Sequence, residues 1–554
     1  MTNLSPTRLQ VMWNRLLSVV EEQGQTLIRA AFSPIVRECG DISAGIFDRQ
    51  GRMLAQAVTG TPGHINTMAE AVRTLHNRWP EDDMRPGDIF ATNDPWIASG
   101  HLNDLLLMMP VFHGGRVIGF TACTSHLADL GGQGMGPEGS DIFDEGLRLP
   151  PCKLVHQGRL DPLIMDILRV NSREPAGNEG DIYALVACCE AGAKRLAETM
   201  EEFGLADLNR LARHILETSR QGTLAAIAEA PHGTYRHELM VDGYETPIKL
   251  AATVTIGADG IDLDFAGTAP CSAKGINVPL NYAAAYAVFA MRCIFGADIP
   301  NNAGSLGAFR VTAPPGCILN AQPPSPVAMR HTLGQMTPDL VYGCLVQAVP
   351  DRVPAEGASA MYDLPLRSPP EVAQRGDETF AVEFVHNGGT GARPGRDGLS
   401  ATAFPSGVWG TQVEIAEQVA PVRFIRRELR TDSGGPGRQR GGLGQHIELT
   451  PSGDDAFLLF LSVERVLYPA EGRAGGDAGA PGRIRIGAPG SPGKDLPGKG
   501  AFRVSPSEAL VFETPGGGGH GPPEQRDPNR VASDLADGLI TNHAALTSYG
   551  RRLT

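Results

Sequence analysis

The residues best suited by type and spacing to chemistry are His101-Leu102-Asn103-Asp104 and His126. Between them lies a hairpin pattern. Leu105 to Phe112 is a nearly continuous apolar run, as a strand covered on both faces requires. His113-Gly114-Gly115 supplies a turn, and Arg116 to Thr124 returns. Antiparallel pairing about a two-residue Gly114-Gly115 turn sets His126 opposite Asn103, between His101 and Asp104, and a one-residue change of register keeps it nearby. Two imidazoles and a carboxylate converging in this way suit a divalent transition metal (zinc, manganese or iron) with coordination positions left open. Such an ion lowers the pKa of bound water and yields hydroxide near neutral pH. The same side chains would also make an ordinary hydrogen-bonded cluster at a strand end.

Other carboxylates flank this set. Asp129 follows His126 by three residues, ahead of Leu130-Gly131-Gly132, where it could ligate, orient an imidazole or accept a proton. Asp94, in Asn93-Asp94-Pro95-Trp96, has the default role of a turn former ahead of proline. Asp129 and Asp94 are the candidate catalytic carboxylates. Asp41 stands beside Arg37 and Glu38 at the start of an earlier hairpin, and on spacing alone it is a capping residue. Nucleotide motifs fail. Gly132, Gly134 and Gly136 lack a strand-then-helix frame, and Gly493-Lys494 has Ala488 and Asp495 where a P-loop needs Gly and Ser or Thr.

The elements that must position these residues follow from periodicity. Residues 5–31 form an amphipathic helix, with Ser5 as N-cap and Pro6 at the first helical position. Residues 41–56 form a hairpin about Arg49-Gln50-Gly51, and Met68 to Leu75 a short helix. Helical patterns occupy 162–170, 180–203, 205–228 and 280–296; strands occupy 234–241, 247–256, 261–266, 379–386 and 456–462; one or two helices close the chain at 527–550. The fold class is α+β: a large multi-layer mixed fold with antiparallel sheets, an N-terminal helix, a helical insert and a loop-rich β C-terminal half. The pattern changes from helices to strands near 228–234. That places the site in an N-terminal α+β region, 1–230, followed by a mixed region, 231–554, that ends in helices.

Composition narrows the function classes. The formal charge of −14 and the absence of a long Lys/Arg run argue against nucleic acid and anionic membranes. No window is apolar enough to span a membrane, and no basic-then-apolar leader opens the chain. Nine cysteines without a CxxC or a regular framework suggest reduced thiols in the cytoplasm. The 68 glycines and 43 prolines are too many for an average globular chain, but 42% hydrophobic residues and no Gly-X-Y period argue for tightly turned loops rather than disorder. Residues 469–500 and 514–523, the densest stretches, are expected to order by packing on the body of the protein or on a partner.

Taken together the motifs resemble hydantoinase B, within the hydantoinase/oxoprolinase family. The resemblance rests on an ordered set spanning nearly the whole chain. It includes Gly40-Asp41-Ile42-Ser43, Asn93-Asp94-Pro95-Trp96, Gly100-His101-Leu102-Asn103-Asp104, and His126-Leu127-Ala128-Asp129-Leu130-Gly131-Gly132. It continues through Asn171-Ser172-Arg173, Gly267-Thr268-Ala269-Pro270, Asp432-Ser433-Gly434-Gly435 and Arg440-Gly441-Gly442. The resemblance implies a divalent metal on His101, Asp104 and His126, with Asp41 a further ligand candidate. It also implies an A-type partner subunit of actin-like ATPase fold, in an A2B2-like hetero-oligomer, that uses ATP to phosphorylate a small cyclic amide such as a hydantoin or lactam. This chain would then open the activated ring. A ketone carboxylase subunit is the alternative the same family offers, and a non-catalytic assembly subunit the third. One departure stands out: many relatives carry two adjacent histidines where this chain has His126-Leu127, so any role of the second is absent or moved here.

Overall fold

The computed structural model describes residues 5–58, 61–359 and 361–551. Its first layer is a seven-stranded antiparallel sheet built from β1 (Ile42–Asp48), β2 (Met53–Gln56), β3 (Ile89–Thr92), β4 (Asp104–His113), β5 (Arg116–His126), β6 (Cys152–His156) and β7 (Arg159–Leu160), in the order β2-β1-β5-β4-β3-β6-β7. One face is covered by α1 (Pro6–Ala30) and the long helix Pro175–Phe203, the other by α3 (Pro62–Arg78), α2 being the single turn Pro34–Arg37. Helix α1 starts as its sequence requires: the Ser5 side chain accepts from the Arg8 N–H, with Pro6 next. Helix α3 is twice the length expected, because Thr61-Pro62 starts it a turn and a half before the first obvious apolar repeat at Met68.

The central strands carry apolar residues on both faces. Leu105 and Leu107 enter the core under α1, while Leu106 and Met108 enter the core under α3. Strand side chains alternate, so Asp104 faces the α3 side with Leu106. Near the turn the pairing is that of a two-residue hairpin, His113 opposite Arg116. A bulge at Val111/Phe112 then advances the register by one, and Asp104, rather than Asn103, lies directly across from His126.

Three more sheets follow. The first pairs Phe309–Thr312, Gly260–Asp264, Ile248–Gly257 and Gly233–Val241 beside the helices Leu280–Phe295 and Thr337–Leu345. The second orders Ala381–His386, Tyr362–Arg367, Phe457–Ser462 and Lys499–Val504; the third runs from Val422–Leu429 through Gln445–Pro451, Ala509–Glu513 and Arg483–Gly487 to Lys494–Asp495. Strands Tyr362–Arg367 and Ala381–His386 bring residues back to the first layer: Met361 and Val385 share the core of α1.

The glycine surplus has a specific structural home. Extended segments around 388–391, 434–442, 471–479 and 515–519 lie side by side and hydrogen-bond outside any regular ladder. Gly442 N donates to Thr390 O, Gly517 N to Gly442 O, Gly435 N to Gly517 O and Gly519 N to Asp477 O, all at 2.8–2.9 Å. A Cβ on Gly441 would sit 1.9 Å from the Gly517 carbonyl oxygen, and one on Gly389 1.9 Å from that of Gly442. Only glycine permits backbones this close. The 514–521 stretch and 470–480 are thus ordered by packing against the body of the chain.

Candidate metal centre

Asp104 opens β4 and His126 closes β5, so the bulged register places them side by side. The turn after β3 brings His101 back over the same strand ends, and the first turn of α3 adds His64. Close approach is enforced by Tyr282: a Cβ at Gly63 would lie 2.3 Å, and one at Gly100 2.9 Å, from its side chain.

Asp104 is the hub, with no exposed surface. Its Oδ1 lies 2.7 Å from His101 Nε2 and 3.1 Å from His126 Nδ1, and its Oδ2 lies 2.8 Å from His64 Nε2 and 2.7 Å from Arg330 Nη2. Burial alone would push this carboxyl up, but the charges of His64 and Arg330 outweigh it and hold Asp104 well below the carboxylate range. His101 is driven down to about 3, by burial and then by Arg330. His126 goes the other way: burial lowers it, but Glu383 and Asp104 raise it well above an ordinary imidazole.

Neighbouring groups fix which ring nitrogens face the hub. His101 Nδ1 lies 3.2 Å from the Ala328 carbonyl oxygen. A carbonyl can only accept, so Nδ1 carries the hydrogen and the Nε2 lone pair points at Asp104. That Nε2 has no hydrogen-bond partner although it is fully buried. His126 Nε2 lies 3.1 Å from Glu383 Oε1, which turns Nδ1 toward Asp104. His101 Nε2, Asp104 and His126 Nδ1 therefore form a compact donor set in which each pair of ligand atoms lies within 4.8 Å. A bare imidazole nitrogen, a carboxylate oxygen and a nitrogen whose other side is held by a carboxylate form the donor set a divalent transition metal takes, with the outer partners that usually accompany it. The residues fit such an ion. A second compact group, Asp41, His64 and Asp104, shares the hub carboxylate. In it Thr61 Oγ1 donates to Asp41 Oδ1 at 2.9 Å, and His64 Nδ1 lies 3.5 Å from the same oxygen.

The structure brings the candidates read from the sequence together only in part. His101, Asp104 and His126 meet, and Asp41 joins through His64. Asp129 lies on the cleft side of His126, where it accepts from Arg173 Nη1 and Arg173 N, both at 2.5 Å, and from Gly131 N. Asp94 accepts from the Arg148 guanidinium and from Trp96 N, so it combines its turn role with an ion pair. Sequence reasoning missed His64, Arg330, Glu383 and two supporting acids. Glu145 accepts from Val327 N and Ala328 N and so holds the loop whose carbonyl orients His101. Asp363 is a fully buried neighbour of Glu383, pushed well up by burial and then by that second carboxylate. The available signal was a charge inside an apolar run, as in Ala381-Val382-Glu383-Phe384-Val385 and Val327-Ala328-Met329-Arg330.

A narrow cleft opens beside this centre between 128–135 and the sheet strands 365–367 and 381–383, with Glu383 on its wall. It shares Ala128, Ala381 and Val382 with a cavity of about 680 Å³ rimmed by Phe32, Glu174 and Phe380. Among the described residues no helix is long and apolar enough to cross a membrane, and the nine cysteines are free.

Comparison with known proteins identifies the family and the fold. The family model described as hydantoinase B/oxoprolinase matches residues 5–523. A protein of Pseudomonas sp. (strain NS671), provisionally named as the B component of a D-/L-hydantoinase, is 29% identical over all of this chain and 96% of its own length. The beta chain of caprolactamase from Pseudomonas jessenii is 27% identical over 99% of this chain and 96% of its own. A 5-oxoprolinase of Pestalotiopsis fici is 29% identical over 97% of this chain, which spans 43% of that longer protein. Among solved structures, the ATP-dependent caprolactamase from P. jessenii superposes with a TM-score of 0.90 at 26% identity, covering 100% of this chain and 97% of that one. A nucleotide-free acetone carboxylase shares the fold, with a TM-score of 0.85 at 21% identity over 99% of this chain and 80% of its own.

Proposed function

The chain belongs to the hydantoinase B/oxoprolinase family, and we propose that it is the ring-opening subunit of an ATP-dependent cyclic amide hydrolase. A partner ATPase subunit of the A type would phosphorylate the amide oxygen of a hydantoin-like or lactam ring, and this chain would receive the activated species. The named relatives, a hydantoinase component, a caprolactamase and 5-oxoprolinases, support that substrate class.

The single observation that carries the reading is the buried donor set with its ring edges already oriented toward Asp104. His101, Asp104 and His126 would hold a divalent transition metal, zinc, manganese or iron, and the ion would supply a hydroxide near neutral pH. The chain's own residues do the rest. The Ala328 carbonyl keeps the His101 proton on Nδ1, and Glu383 keeps the Nε2 edge of His126 occupied. Arg330, stacked 4.3 Å from the Tyr282 ring, pins the second oxygen of Asp104, leaving the first for the ion. Glu383 is the wall group through which the cleft reaches His126. Asp129 and Asp94 hold Arg173 and Arg148 in place, and a proton-accepting role for either would require release from its arginine.

The test is reconstitution with the ATPase partner and a panel of cyclic amides, following ADP and ring-opened acid together. The expected result is substrate-dependent ADP release with stoichiometric ring opening in the wild type. His101→Ala is expected to lose bound metal and ring opening while ADP release persists. Ring opening that survives His101→Ala, or turnover that requires bicarbonate, defeats the proposal.

A further inference from the structure

The cleft beside the metal centre carries two guanidinium groups that the centre itself does not use. Arg173 and Arg367 both line it, with Asp129, Glu383 and Phe460. Arg173 is matched by Asp129, and its Nη1 donates at 2.5 Å. Arg367 has no such match. Among the described residues its side chain makes one hydrogen bond, from Nη1 to the Gln133 carbonyl at 3.2 Å, and its guanidinium lies 4.2 Å from the centre of the Phe460 ring. Among the described residues no carboxylate lies within ion-pair distance of it. Burial, and then the like charge of Arg173, weaken its hold on its proton. A half-buried arginine packed over an aromatic ring, near a second arginine and without a directly paired carboxylate, is costly unless an anion completes it. Asp129 offsets part of that cost at longer range, but its oxygens are bonded to Arg173, and Glu383 is bonded to His126, so neither pairs with Arg367 directly.

We propose that Arg367, assisted by Arg173, is a binding site for a small oxyanion, and that the oxyanion is the phosphoryl group of the activated ring. The placement follows from the cavity. The cleft shares the lining residues Ala128, Ala381 and Val382 with the space of about 680 Å³, and Glu383 on its wall contacts His126. A phosphoryl group held by a planar guanidinium fork on these walls would keep the activated ring beside Glu383, the wall residue that contacts His126. This deepens the hydrolase reading and rests on it for the identity of the ligand, though not for the existence of the anion site.

Two measurements separate those parts. Inorganic phosphate titrated calorimetrically into the full-length chain is expected to bind saturably. Arg367→Gln should weaken it about tenfold or more, as expected for a charge-assisted bond to a charged group, and Arg367→Lys should recover part of the loss. No saturable binding, or equal affinity in wild type and Arg367→Gln, overturns the site. In the complex with the ATPase partner, a neutral lactam is the substrate. Arg367→Gln should lower the ratio of ring-opened product to ADP about tenfold or more, while ADP release continues and the metal content is unchanged. An unchanged ratio, or an effect confined to rings that carry their own carboxylate, overturns the phosphoryl assignment. A wild-type complex that releases no ADP with any cyclic amide defeats the hydrolase reading, and the calorimetric result then still decides the anion site.

Discussion

Glu145 lies two steps from the metal centre and offers a sharp test of how that centre is held. Its Oε1 accepts from Val327 N at 2.6 Å and Ala328 N at 2.8 Å, while Oε2 is buried without a partner. Burial dominates and pushes the carboxyl from 4.5 to about 8, with the two backbone donors opposing it. A carboxyl raised in the folded state contributes most when protonated in both states, below about 4.5. Its contribution falls as pH rises from there and levels off above about 8. At about 1.4 kcal/mol per pH unit, the charged side chain costs roughly 5 kcal/mol at pH 9. Glu145→Gln removes the charge but keeps an oxygen for both N–H groups. Melting temperatures of wild type and variant should be similar near pH 4.5, and the variant should gain by several degrees as pH approaches 9. Glu145→Ala orphans two buried donors, at about 1–3 kcal/mol each, and frees the Ala328 carbonyl that orients His101. Metal affinity, read by competition with a chromophoric chelator, should therefore fall in the alanine variant and hold in the glutamine variant. Parallel melting curves for wild type and Glu145→Gln across this pH range, or equal metal loss in both variants, would refute the reasoning.

The same logic reaches the other imidazole and the glycine-rich layers. Glu383→Gln keeps an acceptor for His126 Nε2 but removes the charge behind it. It should weaken metal binding about tenfold, and Glu383→Ala up to about 100-fold; equilibrium dialysis showing wild-type affinity in both would show that the contact does not tune the site. Gly441→Ala, with its Cβ 1.9 Å from a carbonyl oxygen, should cost about 3 kcal/mol or more and lower the melting temperature sharply or abolish soluble expression. Gly177→Ala, in open space on the helix Pro175–Phe203, should be neutral or stabilising by up to about 1 kcal/mol.

What the sequence makes legible here follows the range of the interaction. The hairpin and its buried strand are local: apolar residues, a Gly-Gly turn, and two histidines and an aspartate at the open ends suffice to bring His101, Asp104 and His126 together. The exact partner of His126 is less local, because the Val111/Phe112 bulge leaves no distinctive residue type, and it exchanges Asn103 for Asp104. His64 was hidden by a helix start marked only by Thr61-Pro62. Glu383 and Arg330 are beyond any periodicity argument, since they arrive 257 residues from His126 and 226 residues from Asp104. The glycine clusters read as turns one by one. Their common purpose, backbones stacked at contact distance, appears only when all of them are placed together.

That division by range has a consequence for how the centre works. His101, Asp104 and His126 come from one stretch of the first layer, yet the groups that orient them come from elsewhere: the Ala328 carbonyl from the loop held by Glu145, Arg330 from the helix after it, and Glu383 from the sheet that begins with Ala381–His386. A hairpin alone would present two imidazoles with either nitrogen free and a carboxylate open to solvent. Only after the later sheets dock does His101 show a bare Nε2, does His126 turn Nδ1 inward, and does Asp104 reserve one oxygen. Affinity for a bound ion would therefore be coupled to the integrity of the whole chain. The same later strand that supplies Glu383 also forms the wall of the cleft, so the element that would prepare the proposed metal site also shapes the space beside it.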